Sequence, residues 1–187
     1  MGRFSLIETG IKDLKVIKYD PFLDERGYFF EAYNKNDFIK MGICDEFVQD
    51  NQSMSSKGVL RGLHFQIKFP QAKLVRCLKG KVYDVAVDIR KDSETYGKYY
   101  GVELTEDNNL MFYVPKNFAH GFKVLSGTAI FSYKVTDFYH PNDEGGIIYN
   151  DPDLNINWPS LDDPNAKTLL SDKDTKHPFF KDLWKTA

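Results

Sequence analysis

Between residues 81 and 90 the chain reads KVYDVAVDIR, and its side chains alternate in character. Tyr83, Val85, Val87 and Ile89 fall on one face, and Val82, Asp84, Ala86 and Asp88 on the other. A period of two is what a strand imposes on its side chains. Residues 73–78, KLVRCL, carry a second strand pattern, and Lys79-Gly80 between the two reads as a hairpin turn. Further strand signals cover 14–19, 28–32, 47–50, 59–66, 101–104, 111–114, 121–125 and 129–138. One helix is expected over 35–41, with Asn34 capping its first turn and Gly42 closing it.

Many strands joined by short turns, without alternating helices, predict an all-β sandwich or barrel. The expected architecture is a cupin-type jelly-roll barrel with short peripheral helices. After Trp158 the periodicity fades and Pro159, Pro164 and Pro178 interrupt the chain, so an irregular segment from about residue 159 is expected to cover the barrel. With 187 residues and no internal repeat or flexible linker, 1–187 is read as one domain.

A formal charge of −2 argues against a general nucleic-acid binder, which would carry a basic stripe. Cys44 and Cys77 have neither metal-ligand nor disulfide-framework spacing and are expected to be reduced, buried thiols. The opening Met1-Gly2-Arg3-Phe4-Ser5-Leu6 lacks the apolar core of a signal peptide, and Leu6 stands where a myristoylation signal needs Ser or Thr. No run reaches membrane-spanning length. These features lead to the expectation of a soluble cytoplasmic protein with no membrane partner.

The candidate chemistry centres on Val59-Leu60-Arg61-Gly62-Leu63-His64-Phe65-Gln66, an apolar strand holding one histidine. His64 shares a strand face with Gln66, and Arg61 joins that face only if Gly62 bulges the strand. Taken alone, His64 reads as a core histidine satisfied by one carbonyl. His120, in a second strand-like stretch, suggests instead a lined cavity. Metal-binding jelly rolls present His-x-His with a carboxylate soon after. Here Gln66 takes the second place, no acid follows before Lys73, and the site is read as metal-free. Without a metal, His64 suits general-base work, a cation such as Lys73 would stabilise an enolate, and Tyr133 would supply a proton. Arg26 and Arg61 are candidates to clamp phosphate, and Gln49, Asp50 and Asn51 offer directed donors and acceptors. By themselves the turn at Arg26, the packing of Tyr133 or Tyr139, and the charged run at 170–174 are ordinary surface or core features.

The segments DERGYFFE, VQDNQSMS, GVLRGLHFQ, PQAKLVR, GKVYDVAVDIR, PKNFAHGF, YKVTDFYHP, NDPDLNINWP and LSDKD run in order from residue 24 to residue 174. In order and spacing they resemble the dTDP-4-dehydrorhamnose 3,5-epimerase family. The resemblance implies a jelly-roll homodimer without metal or organic cofactor. It implies a dTDP-linked 4-keto-6-deoxyhexose as substrate, on the way to L-rhamnose for cell-surface polysaccharide. It gives His64 the removal of the C3 and C5 protons, Asp174 the polarising of His64, Lys73 the enolate, Tyr133 a proton from the opposite face, and Tyr139 a stack on thymine. Arg26, Glu31, Gln49, Asp50, Asn51, Arg61, Lys73, His120, Glu144 and Lys173 match positions that bind nucleotide, phosphate or sugar. Family members exchange N-terminal strands, which would send Arg26 and Glu31 to the partner's site. A mono-epimerase on a related sugar, a non-catalytic sugar-nucleotide binder and a metal-dependent relative remain as alternatives.

Overall fold

Among the residues described by the computed structural model, 4–162 and 166–185, thirteen strands and two short helical segments follow in chain order. They are β1 (Phe4–Glu8), β2 (Lys15–Tyr19), β3 (Phe22–Asp24), β4 (Gly27–Phe29), α1 (Lys35–Lys40), β5 (Gln49–Ser56), β6 (Leu60–Gln66) and β7 (Lys73–Lys79). Then come β8 (Lys81–Asp88), β9 (Tyr99–Thr105), β10 (Leu110–Val114), β11 (Phe118–Val124), β12 (Thr128–Val135), β13 (Glu144–Gly146) and a 3₁₀ turn at Phe180–Asp182. Pro164 and the first three residues, on which the sequence reading drew, lie outside the described residues.

A six-stranded sheet, β1-β2-β10-β7-β12-β5, faces a five-stranded one, β13-β6-β11-β8-β9, and β3 and β4 form a separate small hairpin. Neighbouring strands pair antiparallel throughout, as the jelly roll expected from the strand pattern requires. Three apolar clusters hold this together, and each follows from strand parity. Val82 and Ala86 of β8 meet Val75, Phe112 and Phe131 between the sheets. Val85, Val87 and Ile89, on the other face of β8, pack under Leu154, Trp158 and Leu183. The outer face of the larger sheet is closed by Phe38 of α1 against Ile17, Leu74 and Met111. Burying a side chain of this size contributes roughly 1.5–3 kcal/mol.

Several expectations are corrected. Lys79-Gly80 is a tight turn with Gly80 at φ +79°, yet it joins strands of opposite sheets and makes no hairpin. The 47–50 signal becomes a strand that begins at Gln49 and runs on to Ser56, and the 28–32 signal shifts and shortens to Gly27–Phe29. Residues 144–146, which carry no strand signal in the sequence, form β13, which pairs with β6. The irregular cover begins before residue 159, since Ile147, Leu154 and Ile156 already belong to it. Cys77 is buried, and burial pushes its thiol up to about 11, but Cys44 is exposed. Ile43 takes the buried place behind the helix and leaves Cys44 outside. The helix matches its expected start: Asn34 Oδ1 accepts from the N–H groups of Asn36 and Asp37.

Candidate active site

Leu63 and Phe65 of β6 point into the outer core, so alternation turns His64 into the space between the sheets. Gly62 then decides what accompanies it. On β6, Arg61 pairs with Phe122 and His64 with His120, so three steps on one strand answer two on the other. That bulge puts Arg61 on the same side as His64, where both line one cavity. Only glycine fits here: Gly62 has φ +126°, and a Cβ would stand 2.5 Å from Gly121 Cα.

The C-terminal cover brings the partner of His64. Leu169 forms a parallel bridge with Val59 and exchanges backbone hydrogen bonds with Gly58 and Leu60, docking the following turn beside β6. There His64 Nε2–H donates to Asp174 Oδ1 at 2.5 Å, and Ser171 Oγ–H donates to Asp174 Oδ2 at 2.8 Å. Burial would raise the Asp174 carboxyl, but the bonds from His64 and Ser171 outweigh it and hold the group at about 2. The carboxylate therefore stays charged through neutral pH and fixes the histidine proton on Nε2. Nδ1 keeps the lone pair a base needs, 4.0 Å from Glu144 Oε1.

The other groups arrive from the opposite sheet. Lys73 on β7 and Tyr133 on β12 line the two cavities, of about 310 and 490 Å³, that also contain His64. Burial pushes Lys73 down to about 8, against the pull of Asp84 and Glu144. Burial also raises the Tyr133 hydroxyl, with Arg61 working against it, so Tyr133 holds its proton at neutral pH. Asp84 on β8 is wholly buried and bonded to His120 Nε2 at 2.7 Å. Burial disfavours charge on both, lowering His120 and raising Asp84, and the nearby Lys73 cation favours leaving the charge on Asp84. At the mouth, Tyr139 Oη–H donates to Glu144 Oε2 at 3.1 Å, and Lys173 pairs with the same carboxylate.

His64, Asp174, Lys73, Tyr133, Gln49, Asn51, Arg61, His120, Tyr139, Glu144 and Lys173 thus gather at two adjoining cavities. Three expected residues do not. Asp50 falls on the other face of β5 from Gln49 and Asn51, where it pairs with Lys134 at 2.8 Å, because alternation forbids all three from facing one cavity. Arg26 pairs with Asp24 on the exposed β3–β4 hairpin, and Glu31 accepts from Asn34 Nδ2.

Sequence reasoning passed over Asp84, Gln66 as a support, and His177. The signal for Asp84 was present, as a carboxylate interrupting the apolar face of Val82 and Ala86. Gln66 holds two loops together: its Nε2 donates to Phe69 O and Phe138 O, and its Oε1 accepts from His140 N–H. Tyr139 sits in the second of these loops. His177 lies three residues after Asp174 in a stretch without periodicity, and nothing in the sequence marks it. A larger cavity, about 810 Å³, lies apart beside Lys12, Arg90 and Lys91, and the last two of these cations already have partners. Arg90 binds Asp88 and Asp13, and Lys91 rests over Trp184.

A jelly roll that sets a polarised histidine on one sheet against a lysine and a protonated tyrosine on the other is built for moving protons at carbon. The comparisons agree. The family model described as dTDP-4-dehydrorhamnose 3,5-epimerase matches residues 8–182. The crystal structure of dTDP-4-dehydrorhamnose 3,5-epimerase from Elizabethkingia anophelis NUHP1 is 54% identical, with a TM-score of 0.89 over 96% of this chain and 98% of that one. The Legionella pneumophila Philadelphia 1 dTDP-6-deoxy-D-glucose-3,5-epimerase, solved in complex with dTDP-4-keto-L-rhamnose, is 48% identical, with a TM-score of 0.89 over 94% of this chain and 92% of that one. The dTDP-4-dehydrorhamnose 3,5-epimerase of Methanothermobacter thermautotrophicus is 47% identical over 93% of both chains. The chain belongs to the dTDP-4-dehydrorhamnose 3,5-epimerase family.

Proposed function

We propose that this enzyme inverts C3 and C5 of dTDP-4-dehydro-6-deoxy-D-glucose, giving dTDP-4-dehydro-L-rhamnose for dTDP-L-rhamnose biosynthesis. The observation that carries this reading is the placing of His64 and Tyr133 on opposing sheets across one cavity. A 4-keto group acidifies the C–H bonds on both of its neighbours. His64 Nδ1 takes the proton at one carbon, the electron pair moves into the C–C bond, and the carbonyl oxygen becomes an enolate. Lys73 stabilises that oxygen as its negative charge develops. Tyr133 then delivers a proton to the other face of the carbon, which inverts it; His64 passes its proton to solvent, Tyr133 regains one from solvent, and the cycle repeats at the second centre. No metal or organic cofactor enters this scheme. Gln49, Asn51, Arg61, His120, Tyr139, Glu144 and Lys173 bind the nucleotide, phosphates and sugar, and this remote binding positions the ring.

In this reading the protein is a cytoplasmic homodimer. Leu23, Tyr28 and Phe29 expose apolar surface on the small hairpin that carries Arg26, and a second copy would cover it. Arg26 and Glu31 then serve the partner's cavity, which accounts for their distance from their own. Among the described residues no helix is long and apolar enough to cross a membrane.

The test is proton NMR of the protein with dTDP-4-keto-6-deoxyglucose in deuterated water. Deuterium is expected at both C3 and C5, together with the rhamno product. Exchange at one carbon alone would make the protein a mono-epimerase, and exchange at neither would refute the assignment.

Lys73 gives a second expectation. A cation held at about 8 is lost as pH rises through that value, so kcat/KM should fall above pH 8. The Lys73→Met variant should be slow at every pH and should lack that limb. A limb unchanged in Lys73→Met would assign it to another group.

A further inference from the structure

Behind the dyad stands a third donor that the proton chemistry does not use. His177 Nε2 is buried and has no hydrogen-bond partner among the described residues. It lies 3.8 Å from Asp174 Oδ1, the same oxygen that binds His64. Its ring is held in place on both sides. It meets the His64 ring edge-on at 5.4 Å between centroids, and it covers Gly146, where a Cβ would come within 2.3 Å of it. Gly146 is the strand partner of His64, so this glycine makes the space that lets His177 approach.

We propose that His64, Asp174 and His177 form an inhibitory site for a borderline divalent transition ion such as Zn²⁺. One donor atom from each of the three lies within 4.8 Å of the others. Two imidazoles and a carboxylate suit zinc, cobalt or copper far better than magnesium or calcium, which prefer oxygen. Around a tetrahedral zinc, donors stand about 3.3 Å apart. The Asp174 oxygen sits 2.5 Å from His64 Nε2 and 3.8 Å from His177 Nε2, and no two donors are more than 4.8 Å apart, so each of the three gaps must change by about 1.5 Å or less. Ser171 already orients the carboxylate through its other oxygen, as an outer support of a metal ligand does.

Inhibition follows from the tautomer. An ion on His64 Nε2 displaces the proton shared with Asp174, and a neutral imidazole bound through Nε2 carries its proton on Nδ1. That is the atom whose lone pair the epimerisation needs. Metal ligation and proton abstraction therefore exclude each other at His64. Lys73 and Lys173 oppose a further cation nearby, so the ion binds reversibly and a chelator removes it.

The full-length protein, stripped with chelator, is titrated with Co²⁺ by visible absorption and with Zn²⁺ by calorimetry, both without sugar nucleotide. One ion per chain is expected, with the intense d–d bands of a tetrahedral cobalt. Added Zn²⁺ should also block turnover, and a chelator should restore it. His177→Gln should keep its metal-free turnover while Zn²⁺ affinity and inhibition both weaken by about 10- to 100-fold or more. No saturable binding to the unsubstituted protein would overturn the site. Equal affinity in His177→Gln would remove His177 from it and overturn the proposal as well. Because binding is read on the free protein, its outcome is independent of which sugar nucleotide is turned over.

Discussion

With His64 replaced by alanine, deuterium should enter neither C3 nor C5, and kcat should fall by about 10²–10⁴-fold, the range a positioned general base supplies. The protein should still fold and bind the nucleotide, because His64 contributes to neither of the two outer clusters that close the sheets. Asp174→Asn provides the graded comparison. The amide cannot hold the imidazole proton on Nε2 as a carboxylate does, so the base loses its tautomer while keeping its place. Its turnover should lie between the parent and His64→Ala, with exchange reduced at both carbons together. One dyad is used twice, so a variant that lost exchange at one carbon and kept it at the other would show that two different bases act. Proton NMR of the three proteins side by side decides this.

The dyad depends on how the C-terminal cover docks, and that part of the molecule was hardest to read. Strand β8 was plain in the sequence because its alternation continues for eight residues, and both faces it defines are filled as the pattern predicts. Gly62 was legible too, since a glycine inside an apolar strand signals a bulge, and the bulge is what turns Arg61 toward His64. The turn at Lys79-Gly80 misled because its local chemistry is the same whether the chain folds back within a sheet or crosses to the facing one. β13 has three residues, two of them glycine, and so offers no period to detect.

The segment holding Asp174 shows a further limit. As sequence, 170–174 is a charged run that reads first as a solvated turn, and the family resemblance is what makes Asp174 the partner of His64. In the structure it is 3% exposed. It is buried because a short parallel bridge at Leu169 ties the run to β6, and such a contact between distant residues leaves no periodic trace. Asp50 errs the other way. It was grouped with its neighbours by composition, whereas the pleat separates it from Gln49 and Asn51. His177 escaped for the same reason as Asp174, with no family match to recover it.

Tyr133→Phe should separate proton removal from inversion. The hydroxyl lies on the sheet opposite His64, and the variant keeps the ring that packs against Phe131. Affinity for dTDP should therefore hardly change, since the nucleotide contacts proposed above lie on other residues. Epimerised product should fall by about 10²–10⁴-fold, the contribution expected of a general acid. Exchange should survive the substitution to the extent that the enolate still forms. His64 removes the proton, trades it with solvent and returns deuterium to the face it came from. The expected spectrum is thus labelled sugar of unchanged configuration, a result that neither a non-catalytic binder nor a base-only mechanism with ready inversion would give. Undiminished formation of the rhamno product by Tyr133→Phe would take the acid role away from this residue. Loss of exchange together with inversion would mean that the tyrosine is needed before the enolate forms, as an oxygen-stabilising group beside Lys73.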